Sequence, residues 1–296
     1  EVICMNNKTY TASETDEQYL QAKESVGICR EKASLILVSG ENSLALLDRC
    51  SVKKIDDKIF GSVYTLFFRK KKILSEILIL RLSLYRFLVI TEEFKPVFKL
   101  LKKHRRRYEC VVSDLSDEYA LFSFHGKKCD MFFNDLDYKY IYKTKQQNYG
   151  HYALLCPKKD EDITYNHFVN LNFVPLGEDA RKLFLYHHNV VLHIDKIPRR
   201  WRLSVCAELY PFDNIKAKTK SVRVVKYELE SSQLVTNKHK VYSYSRKKAG
   251  VIHCLYRLPG RKYPFIIAFV REEKVRKVSL IKTGKADALI RPVVFY

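Results

Sequence analysis

The chain opens on a polar, irregular stretch in which residues 14–30 have helical texture and an acidic first turn. It then settles into short alternating elements. Residues 33–38 form an apolar run that predicts a strand, and residues 42–50 place Leu44, Leu46 and Leu47 at helical spacing before the basic pair Lys53-Lys54. Residues 63–68, 73–82 and 87–90 are rich in β-branched and aromatic side chains with turn chemistry between them, so they predict successive strands. Thr91 is placed to cap the helix that follows. There Phe94, Val97, Phe98 and Leu101 fall at i, i+3, i+4 and i+7, the apolar stripe of a helix lying on a sheet. Residues 108–112 and 118–124 predict strands again. The pattern strand–helix–strand–strand–helix–strand suggests a ferredoxin-like α+β sheet with helices on one face. Tyr138, Tyr140 and Tyr142 alternate as one strand face and read as packing. Beyond residue 216 helical periodicity fades, and residues 222–229, 241–244, 265–270 and 275–281 predict the short strands of a small all-β barrel.

The second face of the predicted helix changes the picture. Lys95, Lys99, Lys102 and Arg106 recur along its outside. Across the chain 54 Lys plus Arg stand against 33 Asp plus Glu, a formal net charge of +21. Such an excess predicts attraction to a polyanion, with nucleic acid first and an anionic membrane surface second. The charges also cluster: Arg69-Lys70-Lys71-Lys72 at a hairpin tip, Lys102-Lys103-His104-Arg105-Arg106-Arg107 at a helix end, and Arg199-Arg200-Trp201-Arg202 around an aromatic suited to stacking on a base. Lys216, Lys218, Lys220 and Arg223 approach the barrel, which adds Arg246-Lys247-Lys248. Phosphate contacts from such residues position a protein on RNA without reading its sequence. The bland alternatives are solvated faces, a core or lobe-junction place for Trp201, and favourable pairing of Lys102 to Arg107 with a helix dipole.

With 47% hydrophobic and 13% aromatic residues the chain builds real cores. Its eight cysteines form no CxxC pair, which removes zinc ribbons and thioredoxin-type motifs and predicts reduced, mostly buried thiols. The most apolar stretch, residues 73–90, is broken by Ser75, Glu76, Arg81 and Arg86 and falls short of a membrane span. His187-His188 has no third ligand at a convincing spacing, so no metal is expected. A start at Glu1 fits removal of a presequence and equally a trimmed start.

Several segments, colinear through most of the chain, resemble the aminomethyltransferase family of the glycine-cleavage T-protein and YgfZ. They are Ser43-Leu-Ala-Leu-Leu-Asp-Arg49, Gly61-Ser-Val-Tyr-Thr-Leu-Phe67, Arg86-Phe-Leu-Val89, the strand that ends in Phe124-His125-Gly126 and the Gly177-x-x-Ala-Arg181 helix. In the tail, Lys240-Val-Tyr-Ser243, Lys248-Ala-Gly-Val251, Phe265-Ile-Ile-Ala-Phe-Val270 and Phe295-Tyr296 are similar to the family's barrel. The resemblance implies an α+β fold: two interlocked ferredoxin-like lobes of the T-protein/YgfZ type around a tetrahydrofolate hole, followed by a small C-terminal β-barrel. The implied domains are an N-terminal extension over 1–30, the folate-binding-type domain over 31–215 and the barrel over 216–296.

The family's chemical positions are altered. Where it has a Gly-Gly-x-x-Asp-Asp hairpin, this chain reads Lys71-Lys72-Ile73-Leu74-Ser75-Glu76, which leaves Glu76 as the one carboxylate there. Its two pterin-holding Glu-Ala-Gly patches match His187-His188-Asn189 and Val205-Cys206-Ala207, and neither offers the carboxylate that would accept the ring's donors. Its barrel Thr-Ser turn matches His253-Cys254, and no Lys-Gly-Cys motif of the iron–sulfur branch occurs. The resulting expectation is a pseudoenzyme with no catalytic residue, cofactor, metal or small-molecule substrate. It would be an RNA-binding component of a ribonucleoprotein, with the small subunit of a mitochondrial ribosome favoured because the family resides in that organelle in eukaryotes. Ribosomal RNA and neighbouring ribosomal or assembly proteins would be its partners in the mitochondrial matrix. Two alternatives stay open: a folate-dependent enzyme or iron–sulfur assembly factor using Glu76, and a protein-only scaffold for acidic partners.

Overall fold

A computed structural model describes residues 12–55, 61–69, 72–133, 140–146, 149–187, 222–229, 240–243, 245, 247–261, 263–282 and 287–292. They divide into two compact units, one made chiefly of residues 18–181 and the other chiefly of the chain from residue 182 onward. The architecture is mixed α+β with several sheets, as the hydrophobic pattern predicts.

The first unit takes in α1 (Ala12–Glu24) from Gln18 onward and β1 (Gly27–Arg30). The helical texture read over residues 14–30 therefore ends early, and part of the span read as an extension lies inside a sheet. The cause is tertiary. Val26 and Ile28 are buried, and a Cβ on Gly27 would come within 2.5 Å of the Leu176 side chain and 2.8 Å of Ala22, so only glycine lets this strand approach its neighbours.

Five antiparallel strands follow, β2 (Ser34–Ser39), β3 (Ser62–Arg69), β4 (Lys72–Ser83), β5 (Arg86–Thr91) and β6 (Val111–Asp114), in the order β3-β4-β5-β2-β6; α2 (Ser43–Cys50) and α3 (Phe94–His104) connect them. One sheet face packs against these helices through Val38, Phe67, Ile79 and Phe87 with Leu46, Leu47, Val97 and Leu101. The strand predicted over residues 108–112 starts later, because residues 105–109 form a turn in which Glu109 takes a positive φ of 53°.

A second sheet combines β1 with β7 (Tyr119–His125), β8 (Ile141–Gln146), β9 (Tyr149–Pro157) and β10 (Val174–Pro175), in the order β10-β1-β7-β9-β8. It is backed by α4 (Cys129–Phe133) and α5 (Glu161–Asn170), and Phe124 packs its ring 4.7 Å from Phe133 and 4.9 Å from Phe168. The remaining faces of the two sheets meet through Leu35, Leu80, Leu88 and Ile90 on one side and Leu121, Tyr142, Ala153 and Leu155 on the other. The layers thus run helices, sheet, sheet, helices. The predicted tyrosine face does not form: Tyr140 precedes β8 and is 51% exposed, whereas Tyr142 is buried, and Tyr138 lies outside the described residues. At the end of β7, Gly126 has φ +127°, and a Cβ there would sit 2.3 Å from the Ala22 carbonyl oxygen; glycine alone lets β7 end against the last turn of α1.

The helix α6 (Glu178–His187) leads to the second unit, whose strands are β11 (Val222–Leu229), β12 (Lys240–Ser243), β13 (Lys248–Tyr256), β14 (Phe265–Arg271), β15 (Val278–Lys282) and β16 (Asp287–Pro292). They pair in the order β11-β14-β13-β12-β15-β16, and β16 pairs back to β11. A 3₁₀ stretch, Glu272–Lys277, occupies the start of the span read as the strand over 275–281.

Lys226 on β11 is 5% exposed and donates from Nζ to the His187 carbonyl (2.8 Å), with the Tyr256 ring centroid 5.5 Å away. Burial pulls its ammonium down from 10.5 to about 8, only partly opposed by Cys254. Between those values the unfolded chain holds a proton that the folded chain has released, so Lys226 makes stability rise with pH by ~3 kcal/mol across the window. Burial pushes the Cys29, Cys50 and Cys129 thiols up to about 12, which lowers stability as pH climbs above their usual range near 9. A difference measurement separates the two effects. In denaturant unfolding, the advantage of Lys226→Met over wild type should be largest below pH 8 and shrink by ~3 kcal/mol towards pH 10.5. A constant difference would mean that the ammonium is solvated.

Candidate nucleic-acid interface

Two apolar stripes set the orientation of α3. Val97, Leu100 and Leu101 are buried, and Phe94 stacks on Phe98 with centroids 4.8 Å apart. Pro96 in the first turn costs no hydrogen bond, since an N–H there would have no helical partner. Thr91 does not cap the helix. The N-cap is Glu93, without a side-chain cap bond, and the Glu93 N–H donates to Thr91 Oγ1 at 3.1 Å.

That seating turns Lys95, Lys99, Lys102 and Lys103 outward, all exposed; Arg106 and Arg107 are exposed in the turn beyond, where His104 and Arg105 are half-buried. From Lys95 to Lys102 the helix carries charge over about 10 Å of its length. Lys102 Nζ also lies 4.9 Å from the Phe98 ring centroid, so its stem covers apolar surface while its charge stays in water. Among the described residues the ion pairs are formed elsewhere: Arg30 with Glu161 and Asp162, Lys127 with Glu24, Lys143 with Asp130, Lys158 with Glu161, and Arg181 with Glu31. No cation between Lys95 and Arg107 takes part in them.

His104 reports the field on this face. Burial first, and then the charges of Lys103, Arg49, Arg107 and Arg69, pull its imidazole below the ordinary histidine range. Four cations from the ends of α2, β3 and α3 therefore act on one ring. The structure brings together the cluster at Lys102 to Arg107 and Arg69 of the hairpin cluster. It adds Arg49, which sequence reasoning passed over, although Arg49 stands in the last turn of α2 four residues before the noted Lys53-Lys54 pair.

The other candidates are placed differently. Lys72 opens β4, while Lys70 and Lys71 lie outside the described residues. So do Arg199, Arg200, Trp201, Arg202, Lys216, Lys218, Lys220 and Arg246. In the second unit Lys247 is exposed and Lys248 is half-buried at the start of β13.

The positions marked by the family resemblance have their own geometry. Ser75 is 6% exposed and its Oγ lies 2.9 Å from Thr91 Oγ1, a neutral hydroxyl pair. Glu76 is half-buried on β4, opposite Leu66. His187 ends α6, and His253 and Cys254 are buried on β13, with the His253 ring 5.0 Å from Phe269. His188, Asn189 and residues 205–207 lie outside the described residues. Sequence reasoning also missed a polar chain: Arg181 donates from Nε and Nη2 to the two carboxylate oxygens of Glu31 (2.8 and 2.6 Å), Ser123 Oγ donates to Glu31, and His125 Nε2 lies 3.0 Å from Ser123 Oγ. Among the described residues no group of three or more His, Cys, Asp and Glu side chains is placed to hold a metal ion, and no helix is long and apolar enough to cross a membrane.

The chain has the fold of an aminomethyltransferase. It is similar to the crystal structure of glycine cleavage system aminomethyltransferase T from Bartonella henselae, with a TM-score of 0.75 over 94% of this chain and 88% of that one, at 17% identity. The heterotetrameric sarcosine oxidase from Corynebacterium sp. U-96 gives a TM-score of 0.35 at 11% identity, covering 53% of this chain and 90% of that chain. No family model and no curated protein matches the sequence.

Proposed function

We propose that this chain is a non-catalytic, RNA-binding structural component of a ribonucleoprotein, built on an aminomethyltransferase-like scaffold. The observation that carries the reading is the outer face of α3 with the turn beyond it, where Lys95, Lys99, Lys102, Lys103, Arg106 and Arg107 are exposed without an ion pair among the described residues, on a chain of net charge +21. A surface of this kind meets phosphates and tolerates any sequence.

The scaffold is read as two ferredoxin-like lobes and a barrel. The order β6-β2-β5-β4 supports the first lobe, with β3 added at its edge, and β10-β7-β9-β8 with β1 inserted supports the second. The loss of catalysis is supported by the hairpin position where the resemblance places a carboxylate and this chain has Ser75 bonded to Thr91. The setting proposed is the mitochondrial matrix, as part of the small ribosomal subunit, with ribosomal RNA and adjacent ribosomal or assembly proteins as partners.

Sedimentation of the native protein from an organelle lysate, with and without ribonuclease, tests this. Co-migration with a ribosomal particle that nuclease abolishes is the expected result. Free protein at the top of the gradient sinks the reading, and tetrahydrofolate titration, repeated with Glu76→Gln, then tests whether the scaffold keeps its family's ligand. Co-migration that survives nuclease favours a scaffold held by protein alone.

A further inference from the structure

We propose that the tip of the β4–β5 hairpin, Leu84-Tyr85 followed by Arg86, is a stacking platform for an unpaired RNA base. This assignment rests on the RNA-binding reading above and adds the form of RNA that the protein takes.

A two-residue hairpin tip is ordinarily polar or glycine-rich, since its side chains gain nothing from the core. Here Leu84 is 50% and Tyr85 46% exposed. The tip is nonetheless held from several sides. The Gly40 N–H and Ser43 Oγ donate to the Tyr85 carbonyl (3.0 and 3.3 Å), while the buried Arg81 guanidinium donates from Nη2 to the Leu84 carbonyl (3.2 Å) and from Nε to the Ser83 carbonyl (3.4 Å). The Phe87 ring lies under that guanidinium, 5.3 Å from its carbon. An apolar tip on a fixed backbone serves poorly as a turn and well as a contact, because the backbone has little freedom left to lose on binding and a tyrosine ring has only two torsions.

The surroundings point to nucleic acid as the occupant. Arg86 and Val111 both pair with Ser39, so they stand on the same face about 10 Å apart, and Val111 is 59% exposed. Next to Ser39, a Cβ on Gly40 would lie 3.1 Å from the Glu109 carbonyl oxygen, so the turn over residues 105–109 abuts the same glycine that donates to Tyr85. That turn carries Arg106 and Arg107, both exposed, and Arg86 is exposed next to Tyr85 in the chain. An exposed aromatic with cationic residues on the neighbouring strand start and turn suits a base on its face and phosphates nearby. A base in a duplex has both faces covered, so this site selects single strands, whereas the α3 face takes the phosphates of either form.

The test compares the full chain with Tyr85→Ser and Tyr85→Phe, binding a short oligoadenylate and an RNA duplex of matched phosphate number. Tyr85→Ser should weaken oligoadenylate binding about tenfold and leave duplex binding and the melting temperature unchanged, while Tyr85→Phe restores the single-strand affinity. Unchanged oligoadenylate binding, or equal losses on both RNAs, overturns the platform and leaves the RNA-binding reading standing. If the wild type binds neither RNA at physiological salt, the RNA-binding reading falls and takes the platform with it. Loss of co-sedimentation by Tyr85→Ser with oligoadenylate binding intact would assign the tip to a protein contact and overturn the proposal.

Discussion

Arg181→Met should destabilise the first unit by ~3–5 kcal/mol, and Glu31→Gln should do nearly the same. The two side chains are 16% and 13% exposed and meet through a bidentate pair. Burial alone would make the guanidinium easier to deprotonate, but the Glu31 carboxylate outweighs it and holds the charge more firmly than usual. Removing one partner leaves the other charged, nearly buried and unpaired, which is the costly outcome. Removing both does not, so Glu31→Leu with Arg181→Met should recover most of the loss in a double-mutant cycle of urea unfolding. Single variants that each cost under ~1 kcal/mol would show that water already screens the pair.

That pair also marks where sequence reasoning stops. Arg181 was visible as part of Gly177-x-x-Ala-Arg181, but nothing local joins it to Glu31, 150 positions away. The helices and strands of the first sheet were legible because their signals are local: the stripe of α3, the β-branched runs of β4 and β5, and turn residues between them. Thr91 has the right chemistry for a cap and sits too early, so its hydroxyl serves the Glu93 N–H and Ser75 instead. Residues 14–30 were misread for a different reason. Their periodicity carries no sign that Gly27 must fit beneath Leu176. Such contacts between distant residues leave no trace in spacing, and the same holds for the hairpin tip. Leu84 and Tyr85 fall between two predicted strands, but nothing in the spacing shows that Gly40, Ser43 and Arg81 hold their carbonyls.

The other large effect concerns binding. Changing Lys95, Lys99, Lys102 and Arg106 together to glutamine should lower RNA affinity by about a hundredfold at physiological salt and reduce the slope of log K against log salt by about 3. Each phosphate contact contributes ~0.7 to that slope on a single strand, so four contacts account for both figures. Glutamine keeps helix propensity close to that of lysine, and these side chains are exposed, so the fold should lose little beyond the favourable placement of Lys102 near a helix C-terminus. The informative control is a set of cations that already have partners: Lys127 with Glu24, Lys143 with Asp130 and Lys158 with Glu161. Changing those three to glutamine removes a similar amount of positive charge, yet it should leave the salt slope nearly unaltered, because each of these ammoniums is already neutralised by a carboxylate. If both sets lower the slope in proportion to charge alone, the attraction is a diffuse field of the whole protein and α3 is not the interface. If the α3 set leaves the slope intact, the phosphate contacts belong to the basic residues between 199 and 220, and the same substitution scheme moves there.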